Sequence, residues 1–143
     1  MCAICGILNF DHYDAVDPIV VGAMAQTLYH RGPDDDGLLT DGNAALGFRR
    51  LAIIDRGGGH QPIFNEDRSA AIVFNGEIYN FRQLRSELRG RGHRFATFSD
   101  TETILHAWEE YGESCVDHLR GMFAFAIWDK KAARSLSRAT ASA

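Results

Sequence analysis

The sequence predicts an α+β protein whose helices are layered around a sheet core. Strand-like segments lie near both ends of the 143-residue chain, and helix-like segments lie between groups of strands. Hydrophobic residues make up 45% of the chain and charged residues 24%, which is typical of soluble globular proteins and not of disordered ones. Because domains usually contain about 100–150 residues, one domain is expected.

Short local patterns predict the first strand and the first helix. Residues 3–10 form a β-rich run at the start of the chain. Asp17 followed by Pro18 indicates an N-cap with proline in the first helical position. Glycine and proline at positions 32 and 33 predict that the helix ends before them. The apolar stripe expected to face the core consists of Val20, Ala23, Met24, Thr27 and Leu28.

Further strands are predicted at residues 44–48, 51–54 and 70–74, with glycine-rich turns between them. A last buried strand is predicted at residues 122–128, which are almost entirely apolar. The three consecutive aspartates at positions 34–36 lack the interleaved oxygen ligands of a calcium loop, so a solvated loop is expected there.

Two capping-box spacings predict the second and third helices, Asn80 with Gln83 and Ser99 with Glu102. The second helix is expected to bury Phe81, Leu84 and Leu88 and to expose Arg82, Arg85 and Arg89 to solvent. The third helix is expected to bury Ile104, Leu105, Trp108 and Tyr111 and to end at Gly112.

The last residues, 132–143, are small and polar with no core-facing pattern. They are predicted to form a divergent, disordered tail after a domain at residues 1–131.

Charge and composition exclude several classes of protein. The net charge of −4 argues against a nucleic-acid binder, and no apolar run approaches the ~20 residues of a membrane helix. No basic segment precedes a long apolar one at the N-terminus, so no secretory signal is expected. Three cysteines are too few for a disulfide scaffold and fit a reducing, cytoplasmic setting.

Cys2 directly follows the initiator methionine. Removal of Met1 would give Cys2 a free α-amino group with an intrinsic pKa of about 7.7–8.0, next to a nucleophilic thiol. Cys2 and Cys5 also form a C-x-x-C pair, which is the alternative of a zinc or redox site. In a strand the thiols of Cys2 and Cys5 would point to opposite faces. Cys115 has no second cysteine near it in the sequence, so Cys115 is expected to be a buried small hydrophobe.

Three other positions carry polar groups suited to binding or catalysis. Asn75 and Gly76 follow a predicted strand, where an amide donor and an approachable backbone N–H suit an oxyanion site; the alternative is an ordinary β-turn. Arg50 can bind a carboxylate, although a surface salt bridge is the commoner role. Asp100 can bind an ammonium group, although helix capping explains it equally well.

The order of several motifs along the chain resembles a known family. The motifs are Met1-Cys2, H-R-G-P-D from His30, R-L-A-I-I-D from Arg50, Gln61-Pro62, N-G-E-I-Y-N from Asn75, S-D-T-E from Ser99 and G-M-F-A-F-A from Gly121. Together they resemble the N-terminal glutaminase domain of glutamine-hydrolysing asparagine synthetases, which are class II glutamine amidotransferases. The resemblance covers nearly all of residues 1–131. It implies the four-layer αββα sandwich of N-terminal-nucleophile hydrolases, incomplete at its C-terminus.

The resemblance also implies roles for individual residues. Cys2 would attack the side-chain amide of L-glutamine to give a thioester and ammonia, and water would then release glutamate. Asn75 and the Gly76 N–H would hold the oxyanion, a contribution of typically ~10²–10³ in rate for one such donor. Arg50 would bind the glutamine carboxylate and Asp100 its ammonium group, with Glu77 lining the pocket. The resemblance implies that this step needs no metal or cofactor and that ATP and magnesium would belong to a synthetase domain, which is expected to be missing from these 143 residues.

The sequence departs from the family pattern in two places. Ala3 stands where the family usually has glycine, and residues 134–143 no longer follow the pattern. The expected partners are L-glutamine and a synthetase domain or full-length homologue, with no nucleic acid and no membrane. The alternative hypothesis is a catalytically inactive, truncated paralogue, acting as a binding or regulatory module or a gene remnant.

Overall fold

The computed structural model describes residues 2–51 and 60–131 and the backbone of residues 134–140. The strands are β1 (Ala3–Leu8), β2 (Asp35–Asp41), β3 (Ala44–Arg50), β4 (Ile63–Phe64), β5 (Ala70–Ile78), β6 (Gly121–Asp129) and β7 (Arg134–Thr140). The helices are α1 (Pro18–Thr27), α2 (Phe81–Gly90) and α3 (Asp100–Tyr111), and a 3₁₀ segment covers Gly112–His118. The predicted strand at residues 51–54 lies almost wholly outside the described residues.

The described strands form two antiparallel sheets, with the orders β1-β3-β2 and β4-β5-β6-β7. Helix α1 packs on the first sheet, where Val21 contributes to a cluster that includes Ala45 and Ile7. The inner faces of the sheets meet in a second cluster built from Leu46, Phe48, Val73 and Trp128. The largest cluster joins the outer face of the second sheet to α2 and α3. The layers are therefore helix, sheet, sheet, helix, which confirms the predicted αββα sandwich.

Two buried indoles connect neighbouring layers. Trp128 Nε1 on β6 donates to Asp41 Oδ2 on β2 at 2.7 Å, so this hydrogen bond crosses from one sheet to the other. Trp108 Nε1 on α3 donates to Asp129 Oδ2 at the end of β6 at 3.0 Å. Each indole ring is thus buried while its single N–H donor has a hydrogen-bond partner, as a buried tryptophan requires.

The start of α3 confirms the Ser99 half of its predicted capping box, whereas the Ser99 N–H donates to Thr97 Oγ1 and not to Glu102. Ser99 Oγ accepts a hydrogen bond from the Glu102 N–H at 3.2 Å. The Glu102 carboxylate accepts from the backbone N–H groups of Ala96 and Thr97 at 2.6 and 2.7 Å, so it also holds the segment before the helix. Burial disfavours its charge, but hydrogen bonds from His106 and Thr97 outweigh burial and lower the pKa of Glu102 to about 2.

Asn80 does not cap α2 with its side chain. Its Nδ2 donates to the His118 carbonyl and its Oδ1 accepts from the Arg120 N–H, both at 2.9 Å. This long-range pairing ties the start of α2 to the segment before β6, and it competes with the local bond that the sequence predicts.

The buried face of α1 is not the predicted stripe. Val21 is fully buried and Ala25 is its buried neighbour one turn later, whereas Val20 is 48% exposed. Residues four apart on a helix lie on one face, and this pair rests over Gly47 of β3. Nearly every residue at the start of α1 is apolar, so the periodicity could not identify which face packs.

The structure differs from the prediction at two polar sites that were expected to be solvated, Arg85 on α2 and the aspartates before β3. The Arg85 guanidinium is buried between the rings of Phe95 and Phe98, 4.2 and 4.4 Å from their centroids, and its Nη1 donates to the Thr97 carbonyl at 2.6 Å. The second and third aspartates of the predicted loop begin β2 instead. Among the described strands, β2 is the outermost of its sheet, a position where exposed carboxylates are common.

The C-terminal segment also differs from its prediction. The structure pairs Arg134–Thr140 with β6 as the antiparallel strand β7, where a disordered tail is expected from composition. Backbone hydrogen bonds to β6 need no apolar side chains, so small polar residues can form such a strand.

Among the described residues, no helix is long and apolar enough to cross a membrane.

The α1 packing is tested by a pair of neighbouring substitutions. Val21→Ala should lower the free energy of unfolding by about 1.5–3 kcal/mol, since it removes two buried carbons and leaves a cavity. Val20→Ala, on the exposed side, should change it by less than about 0.5 kcal/mol. Urea denaturation of both variants measures the difference, and equal effects would contradict the observed helix orientation.

Candidate active site

Cys2 lies immediately before β1 on the inner side of the first sheet. Its side chain is half-buried and packs against the inter-sheet cluster that contains Phe48 and Val73. Its Sγ lies 3.9 Å from the carbonyl oxygen of Leu51, the residue after β3. The thiol therefore faces the space between the two sheets, at the end of the sheet where β1 begins and β3 ends.

Cys5 points to the opposite face of β1. It packs in the cluster beneath α1, so the alternation of a strand separates the two thiols, as predicted. Burial raises the pKa of the Cys5 thiol despite a hydrogen bond with the Gly47 backbone, which disfavours the thiolate that binds metals or attacks disulfides. This arrangement argues against a Cys2–Cys5 zinc or redox pair. Cys115 is fully buried in the helix-side cluster, which confirms its predicted role as a small hydrophobe.

Asn75 and Gly76 lie within β5 and not in a turn. They pair with Ala124 and Phe123 of β6, so the alternative of an ordinary β-turn is wrong. Gly76 has φ +152°, and a Cβ added there would overlap the Met122 carbonyl oxygen and lie 2.6 Å from the Phe123 Cα. Only glycine fits this close approach of β6.

Asn75 shares a face of β5 with Val73, which contributes to the inter-sheet cluster. The same cluster contacts Cys2, and β1 lies against β5 across the two sheets. The structure therefore brings the elements that carry Cys2 and Asn75 together on facing sides of the sandwich.

Asp100 is the first residue of α3 and is anchored to the end of β5. Its Oδ2 accepts a hydrogen bond from the Ile78 N–H at 3.0 Å. Burial raises the pKa of the Asp100 carboxyl and the charge of nearby Glu77 adds to that effect, although backbone hydrogen bonds oppose it. Backbone N–H groups in the first turn of α3, those of Asp100 and Thr101, also contact this carboxylate, so the predicted alternative of helix capping applies to it together with the side-chain cap from Ser99.

Arg50 is the last residue of β3 and lies at the same end of the first sheet as Cys2, because Ala3 pairs with Arg49. The two adjacent arginines have different environments. Arg49 is buried, donates through Nε to the Gly32 carbonyl at 2.9 Å and pairs with Asp36 at 3.5 Å. Arg50 is only half-buried, and its positive charge acts on the Asp35 carboxylate.

These positions are the candidates for one site. A thiol and a guanidinium lie on the first sheet, and an amide and two carboxylates, Glu77 and Asp100, lie at the end of β5 and the start of α3. The anchor of Asp100 has no local sequence signal, because the hydrogen bond to the Ile78 backbone joins residues 22 positions apart. A cluster of His93, His106 and Glu109 on the helix layer was not predicted either, and its sequence signal is the i,i+3 spacing of two of its members on α3.

Comparisons with known proteins identify the family. The sequence model of the family described as "Glutamine amidotransferase domain" matches residues 1–140. The chain belongs to this family. The match extends past residue 131, where the sequence predicts the end of the domain.

The relatives confirm the resemblance to glutamine-hydrolysing asparagine synthetases. The chain is 44% identical over 134 residues to asparagine synthetase [glutamine-hydrolyzing] 3 of Bacillus subtilis, covering 92% of this chain and 22% of the relative. It is 42% identical over 131 residues to asparagine synthetase [glutamine-hydrolyzing] 1 of Arabidopsis thaliana, again covering 92% and 22%. The chain thus spans about a fifth of the length of these relatives.

Solved structures confirm the fold. Glutamine phosphoribosylpyrophosphate amidotransferase of Bacillus subtilis, complexed with ADP and GMP, matches with a TM-score of 0.73 at 21% identity, covering 91% of this chain and 35% of that one. A structure described as the allosteric regulatory enzyme of purine biosynthesis matches equally well, with a TM-score of 0.73 at 24% identity, covering 89% and 35%.

The tight approach at Gly76 predicts a large effect of a single methyl group. Gly76→Ala should destabilise the protein by about 1–3 kcal/mol or more, since it combines backbone strain with a clash against β6. Gly90→Ala is the matched control, because nothing lies within 4 Å of its added Cβ at the end of α2. Thermal unfolding should show the first variant weakened and the second unchanged or slightly stabilised. Equal melting temperatures would contradict the described β5–β6 register.

Proposed function

We propose that this chain hydrolyses the side-chain amide of L-glutamine to glutamate and ammonia, with the Cys2 thiol as nucleophile. The observation that carries this proposal is the position of Cys2 at the start of β1, facing the inter-sheet cluster opposite β5, in a chain of the glutamine amidotransferase family. A thiol exposed there by removal of Met1 has its own α-amine as a candidate base.

The reaction proceeds in two steps. The thiol transfers its proton to the α-amine and attacks the amide carbon, and the Asn75 side-chain amide and the Gly76 N–H stabilise the oxyanion. Return of the proton to the leaving nitrogen releases ammonia and leaves a glutamyl thioester on Cys2. Water then attacks the thioester, which gives glutamate and restores the thiol. None of these steps calls for a metal or a cofactor.

Charge complementarity supports glutamine as the substrate. A free amino acid presents a carboxylate and an ammonium group, and the site presents Arg50 on one sheet and Glu77 with Asp100 near the end of the other. We assign the carboxylate to Arg50 and the ammonium group to Asp100, with Glu77 lining the pocket. Two groups of opposite charge then recognise the carboxylate and the ammonium group of an α-amino acid.

The methyl group of Ala3 is compatible with the proposed glutamine site. The sequence alone suggests that a methyl group next to Cys2 crowds the substrate. Ala3 is only 5% exposed and, by strand alternation, points away from the face that carries Cys2. Its methyl group is therefore packed in the protein and does not line the site.

The proposal includes an acceptor for the ammonia, beyond the glutaminase residues described above. The relatives are named as glutamine-hydrolysing asparagine synthetases, so we propose that ammonia passes to an ATP- and magnesium-dependent synthetase domain of that kind, or to a full-length homologue. A cytoplasmic location fits this role and the reduced thiol that it needs.

The decisive experiment follows glutamate release and the mass of the intact protein. Protein lacking Met1 should release glutamate from glutamine, and a glutamine-mimicking electrophile should add one label at Cys2. Cys2→Ala should abolish both results. Cys5→Ala, which changes the thiol beneath α1, should retain both. Glutamate release by Cys2→Ala, or a processed and folded chain that is neither labelled nor active, would refute the proposal.

The raised pKa of Asp100 predicts a pH dependence of substrate binding. Its carboxylate must be ionised to bind an ammonium group, and burial makes it accept a proton at a higher pH than an ordinary aspartate, which titrates at about 3.9. As the pH falls through this raised pKa, the KM for glutamine should increase while the maximal rate changes less.

The comparison is with Asp100→Asn, whose KM should be high throughout and lack this transition. KM values measured between neutral pH and about pH 4 decide the matter. A KM that stays constant in the unmodified protein down to the ordinary aspartate range would contradict a role for Asp100 in binding the ammonium group.

A further inference from the structure

A cluster of three potential metal ligands lies on the helix layer, apart from Cys2. His106 and Glu109 lie on α3, and His93 lies in the segment between α2 and α3. One ligand atom from each of the three side chains lies within 4.8 Å of the other two. His106 is 1% exposed, whereas Glu109 reaches the surface, so an ion could enter from solvent.

The distances around the Glu109 carboxylate suit a small cation. Its Oε2 lies 2.7 Å from His106 Nδ1 and 3.7 Å from His93 Nδ1. In a tetrahedral zinc site with bonds of about 2.0–2.1 Å, neighbouring ligand atoms are roughly 3.3 Å apart. The two contacts to Glu109 Oε2 are thus within about 0.6 Å of that spacing, and the ligand atoms of the two histidines lie within 4.8 Å of each other.

The other ring nitrogen of each histidine faces a carboxylate. Glu102 Oε1 lies 3.7 Å from His106 Nε2, and Glu110 Oε2 lies 3.1 Å from His93 Nε2. In metal sites a carboxylate on the far nitrogen orients the imidazole and directs its free nitrogen to the ion. Here both histidines have that arrangement, and both direct Nδ1 toward Glu109.

The outer carboxylates are themselves held in place. Two backbone N–H groups bind Glu102, Arg91 Nη1 binds Glu110 at 2.8 Å, and Asn65 Nδ2 donates to Glu109 Oε1 at 2.6 Å. The cluster therefore combines three carboxylates with two imidazoles and one guanidinium. A divalent cation would compensate this excess of negative charge.

We propose that His93, His106 and Glu109 bind a zinc-class divalent cation. Imidazole nitrogen and carboxylate oxygen are ligands that zinc accepts, and three protein ligands leave a fourth position for water. On binding, the cation takes the place of the proton between His106 Nδ1 and Glu109 Oε2, and that proton is released to solvent. The bound ion would connect the segment that contains His93 to the middle of α3.

The test measures zinc binding by the full chain with a competing chromophoric chelator, together with metal analysis after desalting. We expect one zinc per chain and a higher melting temperature in its presence. His93→Gln should lower the affinity at least about 100-fold, and Glu110→Gln, which removes only the outer carboxylate, about 10–100-fold. His118→Gln is the matched control, because His118 stacks on Tyr111 outside the cluster, and it should bind zinc normally.

Cobalt substitution separates this site from the cysteines. Cobalt bound by His93, His106 and Glu109 should give d–d absorption without a thiolate charge-transfer band, since no sulfur is among the ligands. A thiolate band, stoichiometric zinc retained with unchanged affinity in His93→Gln, or no stoichiometric binding at low micromolar zinc would each overturn the proposal. The last result would leave the cluster as a hydrogen-bonded imidazolium–carboxylate network only.

Discussion

The face-to-face packing of two antiparallel sheets is the constraint on which the rest of this structure depends. Side chains alternate along each strand, so burying one face of β1 against β5 fixes which residues point into the space between the sheets. On β1 this places Cys2 inside and directs Cys5 toward α1. The same alternation places Asn75 on the face of β5 that carries Val73. A shift of either strand by one residue would exchange these faces and separate the thiol from the amide.

The close approach of β6 to β5 limits the site in a different way. Gly76 can occupy its position because it has no Cβ, and its neighbours Asn75 and Glu77 then project from a strand whose register is fixed by nine paired positions. The helix layer extends this fixed frame, since the Ile78 N–H holds the carboxylate of Asp100. The negative end of the candidate site is therefore set by backbone positions and not by the reach of flexible side chains.

Sequence patterns predicted the features that depend on neighbouring residues. The caps at Asp17 and Ser99, the buried strand β6 and the end of α3 at Gly112 all follow from local hydrogen bonds, backbone preference or periodicity. The candidate site residues were also named from local motifs, with the resemblance deciding among the alternatives. Features that depend on distant partners were not predictable: α1 presents Val21 because of Gly47, Asn80 turns to His118, and Arg85 is covered by Phe95 and Phe98.

Amino-acid composition did not predict strands β2 and β7, which pair with their neighbours through backbone hydrogen bonds. Among the described strands, β2 and β7 are the outermost of their sheets, and the sequence showed no strand pattern for either. The opposite holds on α3, where a polar cluster is buried in the helix layer. Burial opposes the charge of His106, but Glu102 and Glu109 outweigh it and raise its pKa to about 9. A buried imidazolium is stabilised here by carboxylates on both sides. The hydrogen bonds and ion pairs therefore form one network, which runs from Ala96 through Glu102 and His106 to Glu109.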